Sequence, residues 1–144
     1  MDDLTFEFDH FGIAVNSLDN LSNKFKEIFD INFYQPQYIK DSGVEVSFSK
    51  GRCEIEILEG KTTHSPLIPI LKNPITEFVK KNNSGVQHIC FRTNNIEKAF
   101  NFFLKRKIKL LNKKIIFGYS GHKALFINPV EFDGLLIEII EKNE

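Results

Sequence analysis

Apolar positions along the chain switch between two periods, and the switch happens twice. From Phe6 to Val15 the sequence reads as a strand, with His10 alternating with Phe6, Phe8 and Gly12. The period then lengthens. Leu18, Leu21, Phe25, Ile28 and Phe29 fall on one face of a helix that Asn16 or Ser17 caps. Extended sequence follows, punctuated by Gly43 and a Lys50-Gly51-Arg52 turn, and ends in the strand Ile55-Glu56-Ile57-Leu58-Glu59. The same order returns after residue 84. A strand from His88 leads into a helix holding Ile96, Ala99, Phe100, Phe103 and Leu104, capped by Asn94 or Asn95. Further strands are separated by turns at Gly118 to Gly121 and Asn128-Pro129 to Gly134, and the last is Ile137-Glu138-Ile139-Ile140-Glu141.

The two stretches are copies of one pattern. His10-Phe11-Gly12-Ile13-Ala14-Val15-Asn16-Ser17-Leu18-Asp19 aligns with His88-Ile89-Cys90-Phe91-Arg92-Thr93-Asn94-Asn95-Ile96-Glu97. Each begins with histidine, runs apolar, and reaches Asn, a polar residue, an aliphatic and an acid. The expected fold is therefore α+β: two tandem βαβββ modules packed around a shared metal-binding cleft. Module one covers about 5–60, a connector about 61–84 and module two about 85–142, all within a single domain spanning 1–144. The connector contains Pro66, Pro69 and Pro74, so it begins irregular, and Ile75 to Lys81 form a short helix.

Duplication brings equivalent residues to equivalent places, and here they carry chemistry. Alternation puts Ile55 and Ile57 on the face that covers the helix, and Glu56 on the other. In the last strand Glu138 lies between Leu136 and Ile140, opposite Ile137 and Ile139. A carboxylate among aliphatics in a central strand is costly unless it is paired or bound to metal. His10, Glu56, His88 and Glu138 thus become the expected ligands of one divalent metal. Two imidazoles and two carboxylates suit Zn, Co, Ni, Mn or Fe, and on an octahedral ion they leave two positions for substrate oxygens. A lone strand histidine is more often a satisfied core or surface residue. A lone strand glutamate more often faces solvent. Their recurrence in both copies favours the metal. His64 is expected to be exposed in the connector, and His122 follows Gly121 in a turn. Glu54, Glu59 and Glu141 are expected at strand margins.

Composition narrows the function classes. Lys+Arg and Asp+Glu are both 19, a formal net charge of zero, which argues against a nucleic-acid partner or a basic membrane-surface protein. No apolar run reaches membrane length, and Met1-Asp2-Asp3 opens no signal-peptide pattern, so a cytoplasmic location is expected. Cys53 and Cys90 are far apart in apolar runs and read as two small buried hydrophobes rather than a disulfide framework. With 15 Phe and no Trp, phenylalanine supplies much of the core volume.

Asp9-His10-Phe11-Gly12-Ile13-Ala14-Val15 resembles the opening strand of methylmalonyl-CoA epimerases of the vicinal-oxygen-chelate (glyoxalase) superfamily. Glu54-Ile55-Glu56-Ile57-Leu58-Glu59, Ser65-Pro66, Gly85-Val86-Gln87-His88-Ile89-Cys90-Phe91 and Gly134-Leu135-Leu136-Ile137-Glu138-Ile139 extend the resemblance over nearly the whole chain. It implies that the two modules form a curved mixed sheet around one divalent metal (Co, Zn, Ni or Mn) on His10, Glu56, His88 and Glu138, in a homodimer. It also implies an acyl-CoA substrate such as methylmalonyl-CoA, whose α-proton is removed to give an enolate and returned on the other face. Transfer on two faces needs an acid and a base. The resemblance gives one role to Glu138 and draws the other from the strand after Gly43. Glu45 is the only acid there, although the gapless match falls on Val46, and a one-residue slip reverses the face. Three features depart from the family pattern: the longer connector, Asn128-Pro129 in place of His-Pro, and His122 where a Lys or Arg is common. His122 is a candidate substrate contact.

Other functions compete. Glyoxalase I uses a similar ligand set on a glutathione hemithioacetal. Extradiol dioxygenases use two His and one Glu, and here Glu56 would fill the position that oxygen chemistry needs open. Non-catalytic small-molecule-binding members of the superfamily often lack the complete set, which this chain has.

Overall fold

The computed structural model describes residues 3–52 and 54–143; Cys53 and the Met1-Asp2 opening lie outside the described residues. The elements run β1 (Phe6–Ala14), α1 (Leu18–Phe29), β2 (Gln37–Ile39), β3 (Val44–Phe48), β4 (Ile55–Gly60), α2 (Pro74–Asn82), β5 (Gly85–Thr93), α3 (Ile96–Lys105), β6 (Ile116–Phe117), β7 (Lys123–Ile127) and β8 (Ile137–Glu141). The class is α+β, and the βαβββ order appears twice, with α2 in the connector. No described helix is long and apolar enough to cross a membrane.

The chain divides into two compact units, one of His10–Gln87 and one combining Met1–Asp9 with His88–Glu144. The connector and the first residues of β5 group with the first repeat, and the start of β1 groups with the second.

In the unit His10–Gln87 the strand order is β2-β3-β4-β1. β1 and β4 are parallel, with Gly12 opposite Glu56 and Ile13 opposite Ile57. β3 returns antiparallel to β4, setting Phe48 opposite Glu56. Ile57, Val15 and Leu18 form the buried centre, with Ile13, Leu21, Phe25, Phe33 and Ile55 packed around them. The Ile55/Ile57 face does cover α1. The last turn of that helix departs from the expected stripe: Ile28 and Phe29 are 61% and 65% exposed. The core is already filled by Leu18, Leu21 and Phe25, and Phe29 reaches only the rim of Phe25, with ring centroids 6.1 Å apart.

The second unit repeats this plan in the order β1-β5-β8-β7-β6. β5 and β8 are parallel, with Cys90 opposite Glu138, and β7 returns to place Phe126 opposite Glu138. Its core is Ile96, Ala99, Phe103, Leu125, Ile127, Ile137 and Ile139. Leu104, expected on the buried face of α3, is exposed.

The connector is held by one side chain. Asn73, fully buried, caps α2 by accepting from the Ile75 and Thr76 N–H groups at 3.0 and 3.4 Å. Its amide donates to the Ser42 and Gly43 carbonyls at 3.3 and 3.0 Å and to Thr62 Oγ1 at 3.1 Å. Pro74 follows at the start of the helix, where its missing N–H costs nothing.

Candidate functional site

Each unit builds one histidine–glutamate pair, fully buried in one unit and with a half-buried glutamate in the other. In the unit His10–Gln87, His10 Nε2 stands 3.4 Å from Glu56 Oε1, with both side chains under a tenth exposed. In the other, His88 Nε2 stands 3.3 Å from Glu138 Oε1. The register explains the likeness. In both, the histidine lies two residues before the position facing the glutamate across a parallel ladder, Gly12 in one and Cys90 in the other. An aromatic ring from the antiparallel neighbour faces each glutamate, Phe48 and Phe126. Phe48 also meets the His10 ring edge-on, with centroids 5.0 Å apart. The glutamates share no face with the core isoleucines, because Ile57, Ile137 and Ile139 point towards α1 and α3. The structure thus brings His10 to Glu56 and His88 to Glu138. An imidazole nitrogen and a carboxylate oxygen turned towards each other form a donor set suited to a divalent cation.

Glu45 does not join its pair. It is opposite Glu59 on β4, three residues from Glu56 and therefore on the other face. There Lys61 Nζ lies 3.8 Å from Glu45 and 2.8 Å from Glu59. The hydrogen bond with Glu59 raises the Lys61 pKa, burial opposes it, and the Glu45 charge adds to the rise. On the Glu56 face β3 presents Val44, Val46 and Phe48, with Val46 opposite Leu58. The slip of one position separates an ion-paired acid on the helix side from a buried valine on the pair's side.

His122 closes a turn tied down by the end of the chain. Its Nδ1 accepts the Asn143 N–H at 2.9 Å, and the Asn143 amide donates to the Ser120 carbonyl at 2.9 Å. Tyr119 meets the imidazole edge-on. Burial pushes the His122 pKa below the ordinary 6.5, and the Lys142 charge pushes the same way against Asp9 and Glu138. With Nδ1 accepting, the neutral ring carries its proton on Nε2. His64 is exposed, as expected, beside Thr63. Cys90 is fully buried, also as expected.

Two features escaped the sequence reading. Strict alternation fails in β1, because consecutive residues Asp9 and His10 are both buried. Phe6 packs on Phe102 and Phe103 of α3, and Phe8 on Phe91, so they do not continue the His10 face. Asp9 instead receives Lys142 Nζ at 2.8 Å and Arg92 Nη1 at 3.3 Å, and Arg92 also pairs with Glu7 at 2.7 Å. The Asp9 hydrogen bond is the main cause of a raised Arg92 pKa. Matched polar residues at Asp9, Arg92 and Lys142 are too far apart in sequence to signal this cluster. The second feature is the pair Glu59 and Glu141, which accept the first N–H groups of α1 and α3. Their signal was present as Glu-x-x-Glu in both last strands.

Residues 9–126 match the model of the glyoxalase/bleomycin resistance protein/dioxygenase superfamily. The chain belongs to this superfamily. Within it, the ethylmalonyl-CoA/methylmalonyl-CoA epimerase of Cereibacter sphaeroides is 29% identical over 135 residues, covering 90% of this chain and 93% of that one. The human mitochondrial methylmalonyl-CoA epimerase is 29% identical over 132 residues, covering 90% of this chain and 70% of that one. A crystal structure of the hypothetical protein BH1468 from Bacillus halodurans superposes with a TM-score of 0.86 at 26% identity, covering 97% and 96% of the two chains. This superfamily member is thus related to methylmalonyl-CoA epimerases, and its duplicated βαβββ order is that of the fold.

Proposed function

We propose that the protein is a metal-dependent epimerase or isomerase that transfers the α-proton of an acyl-CoA such as methylmalonyl-CoA through an enolate. The observation that carries this reading is the recurrence, at one register, of a His Nε2–Glu Oε1 pair in both units, each on a buried histidine. Withdrawing Glu56 fully and Glu138 partly from water beside two buried imidazoles is costly for folding alone. A single divalent ion (Co, Zn, Ni or Mn) held by His10, Glu56, His88 and Glu138 accounts for both pairs. When bound, the metal would supply Lewis acidity that stabilises negative charge developing on substrate oxygens. The epimerase relatives, matched over nine-tenths of this chain, support the substrate class.

The roles proposed for the chain's own residues follow from their chemistry. Glu138 exchanges a proton with the α-carbon. Its side chain is 15% exposed against 7% for Glu56, which suits the more accessible carboxylate to that task. His122 offers its Nε2–H to a substrate oxygen, held in that tautomer by the Asn143 N–H. The family resemblance supports a homodimer.

Proton NMR of methylmalonyl-CoA in D2O, with metal-reconstituted protein, tests the proposal. The expected result is loss of the α-proton signal at a rate proportional to enzyme and abolished by chelator. Metal binding without exchange would refute the acyl-CoA assignment.

A further inference from the structure

Three residues beyond each proposed ligand glutamate stands a second glutamate on the opposite face of the strand: Glu59 after Glu56 and Glu141 after Glu138. Glu59 Oε1 accepts the Leu18 N–H at 2.8 Å, and Glu141 Oε2 accepts the Ile96 N–H at 2.8 Å. Leu18 and Ile96 are the first residues of α1 and α3, whose leading N–H groups have no partner within the helix. The ordinary caps take other donors: Ser17 accepts from Asn20 and Asn95 from Lys98. Helix capping is therefore already provided in both units. The extra carboxylates do something the caps do not, because they come from a different strand.

From these contacts we infer that Glu59 and Glu141 are positioning residues that hold Glu56 and Glu138 level with His10 and His88. The inference rests on the metal-site reading above. The helices start four and three residues beyond the strands that carry their histidines. β1 ends at Ala14 and α1 begins at Leu18; β5 ends at Thr93 and α3 begins at Ile96. The Glu59 bond therefore closes a ring. It runs from His10 along β1 to Leu18, across to Glu59, and back along β4 to Glu56. The ring through His88, Ile96, Glu141 and Glu138 is its counterpart. A one-residue slip between the parallel strands would turn a ligand glutamate into the core, and the buried isoleucine faces already oppose it. A carboxylate bound to one particular N–H has a single satisfactory register. The helix's positive end strengthens that bond. The bond is made on the helix side of the strand, so the glutamate touches neither metal nor substrate in this role.

The test compares E59A, E59Q and S17A in one unit with E141A, E141Q and N95A in the other. Co2+ affinity and the visible Co2+ spectrum are read, together with amide hydrogen exchange of the metal-free proteins. E59A and E141A are each expected to weaken Co2+ binding about tenfold, the usual effect of losing a group that orients a ligand. They should also shift the Co2+ absorption bands and speed exchange along β4 or β8. The glutamine variants, which keep an acceptor oxygen, should recover most of the affinity. S17A and N95A remove the ordinary helix caps, worth about 1 kcal/mol each, and should leave Co2+ affinity and strand exchange unchanged. Loss of affinity in S17A and N95A equal to that in the glutamate variants would overturn positioning in favour of plain helix stability. So would unchanged affinity with unchanged strand exchange in E59A and E141A. A wild-type protein that fails to bind Co2+ would refute the metal reading alone, and the exchange comparison would still decide whether the glutamates pin their strands.

Discussion

Replacing Asn73 isolates the bond set that fixes the connector. In N73A the Ile75 and Thr76 N–H groups lose their acceptor, and Thr62 Oγ1 and the Ser42 carbonyl lose their donor. The Gly43 carbonyl keeps one partner, the Lys61 N–H at 2.8 Å. Loss of the cap costs about 1 kcal/mol. Leaving further buried polar groups unsatisfied costs about 1–3 kcal/mol more, so the total is about 3 kcal/mol. That is a large part of the ~5–15 kcal/mol that holds a typical domain. N73D sharpens the reasoning. Aspartate is as good a helix cap as asparagine, so a capping role alone predicts no loss. Here, however, its second oxygen would replace the amide that faces the Ser42 and Gly43 carbonyls, setting buried oxygen against oxygen. Thr62 Oγ1 offers little relief, because it donates to the His64 carbonyl at 2.6 Å. N73D is therefore expected to destabilise at pH 7 at least as much as N73A. Urea unfolding followed by circular dichroism gives both values. N73D as stable as wild type, or N73A within about 0.5 kcal/mol of it, would refute the account of the connector.

Other perturbations bear on the site and its frame. E138Q is expected to weaken metal binding and suppress α-proton exchange, with E56Q milder in exchange; isothermal titration and the NMR assay separate the two effects, and full exchange in E138Q would remove Glu138 from the mechanism. His122 has its pKa lowered in the folded protein, so the unfolded chain takes up the proton first. Its contribution is intact above the unfolded value and is lost as pH falls through that value towards the lower folded one. Wild type should therefore lose stability relative to H122Q below about pH 6.5, read from urea midpoints of metal-free protein between neutral and mildly acid pH. G60A is expected to destabilise by about 1–3 kcal/mol, because a Cβ there would fall within 2.9 Å of the Thr76 backbone nitrogen. G118A meets nothing within 4 Å and should be close to neutral, with urea unfolding of the two variants giving the comparison.

The duplicated order was legible because period-2 and period-3.6 stretches recur with a histidine opening each copy. Glu56 and Glu138 were legible from parity, since Ile55/Ile57 and Ile137/Ile139 mark the opposite face. Parity failed where a polar residue sits next to another. Asp9 and His10 are both buried, and nothing local announces that Lys142 and Arg92 come to meet Asp9. Glu45 was ambiguous for a related reason, because its face is set by pairing with Glu59 and by Lys61 beyond β4. Glu59 and Glu141 resembled solvent-facing strand ends, since their partners are backbone N–H groups that a sequence does not display. Ile28 and Phe29 fit the helical stripe of α1, but the stripe is longer than the core it covers.

The sharing of β1 bears on how the chain folds as it is made. His10–Gln87 is contiguous, so it can assemble as soon as those residues leave the ribosome. The other unit needs Phe6 against Phe102 and Phe103, and Thr5 bonded to Asn94 across 89 positions of sequence. The opening residues must therefore wait, with Phe6 and Phe8 uncovered, until the second half of the chain is synthesised. Loop closure over that distance is slow compared with local pairing. The nascent chain thus passes through a stage in which its first strand is half committed, and that stage is where a chaperone would find apolar sequence to hold.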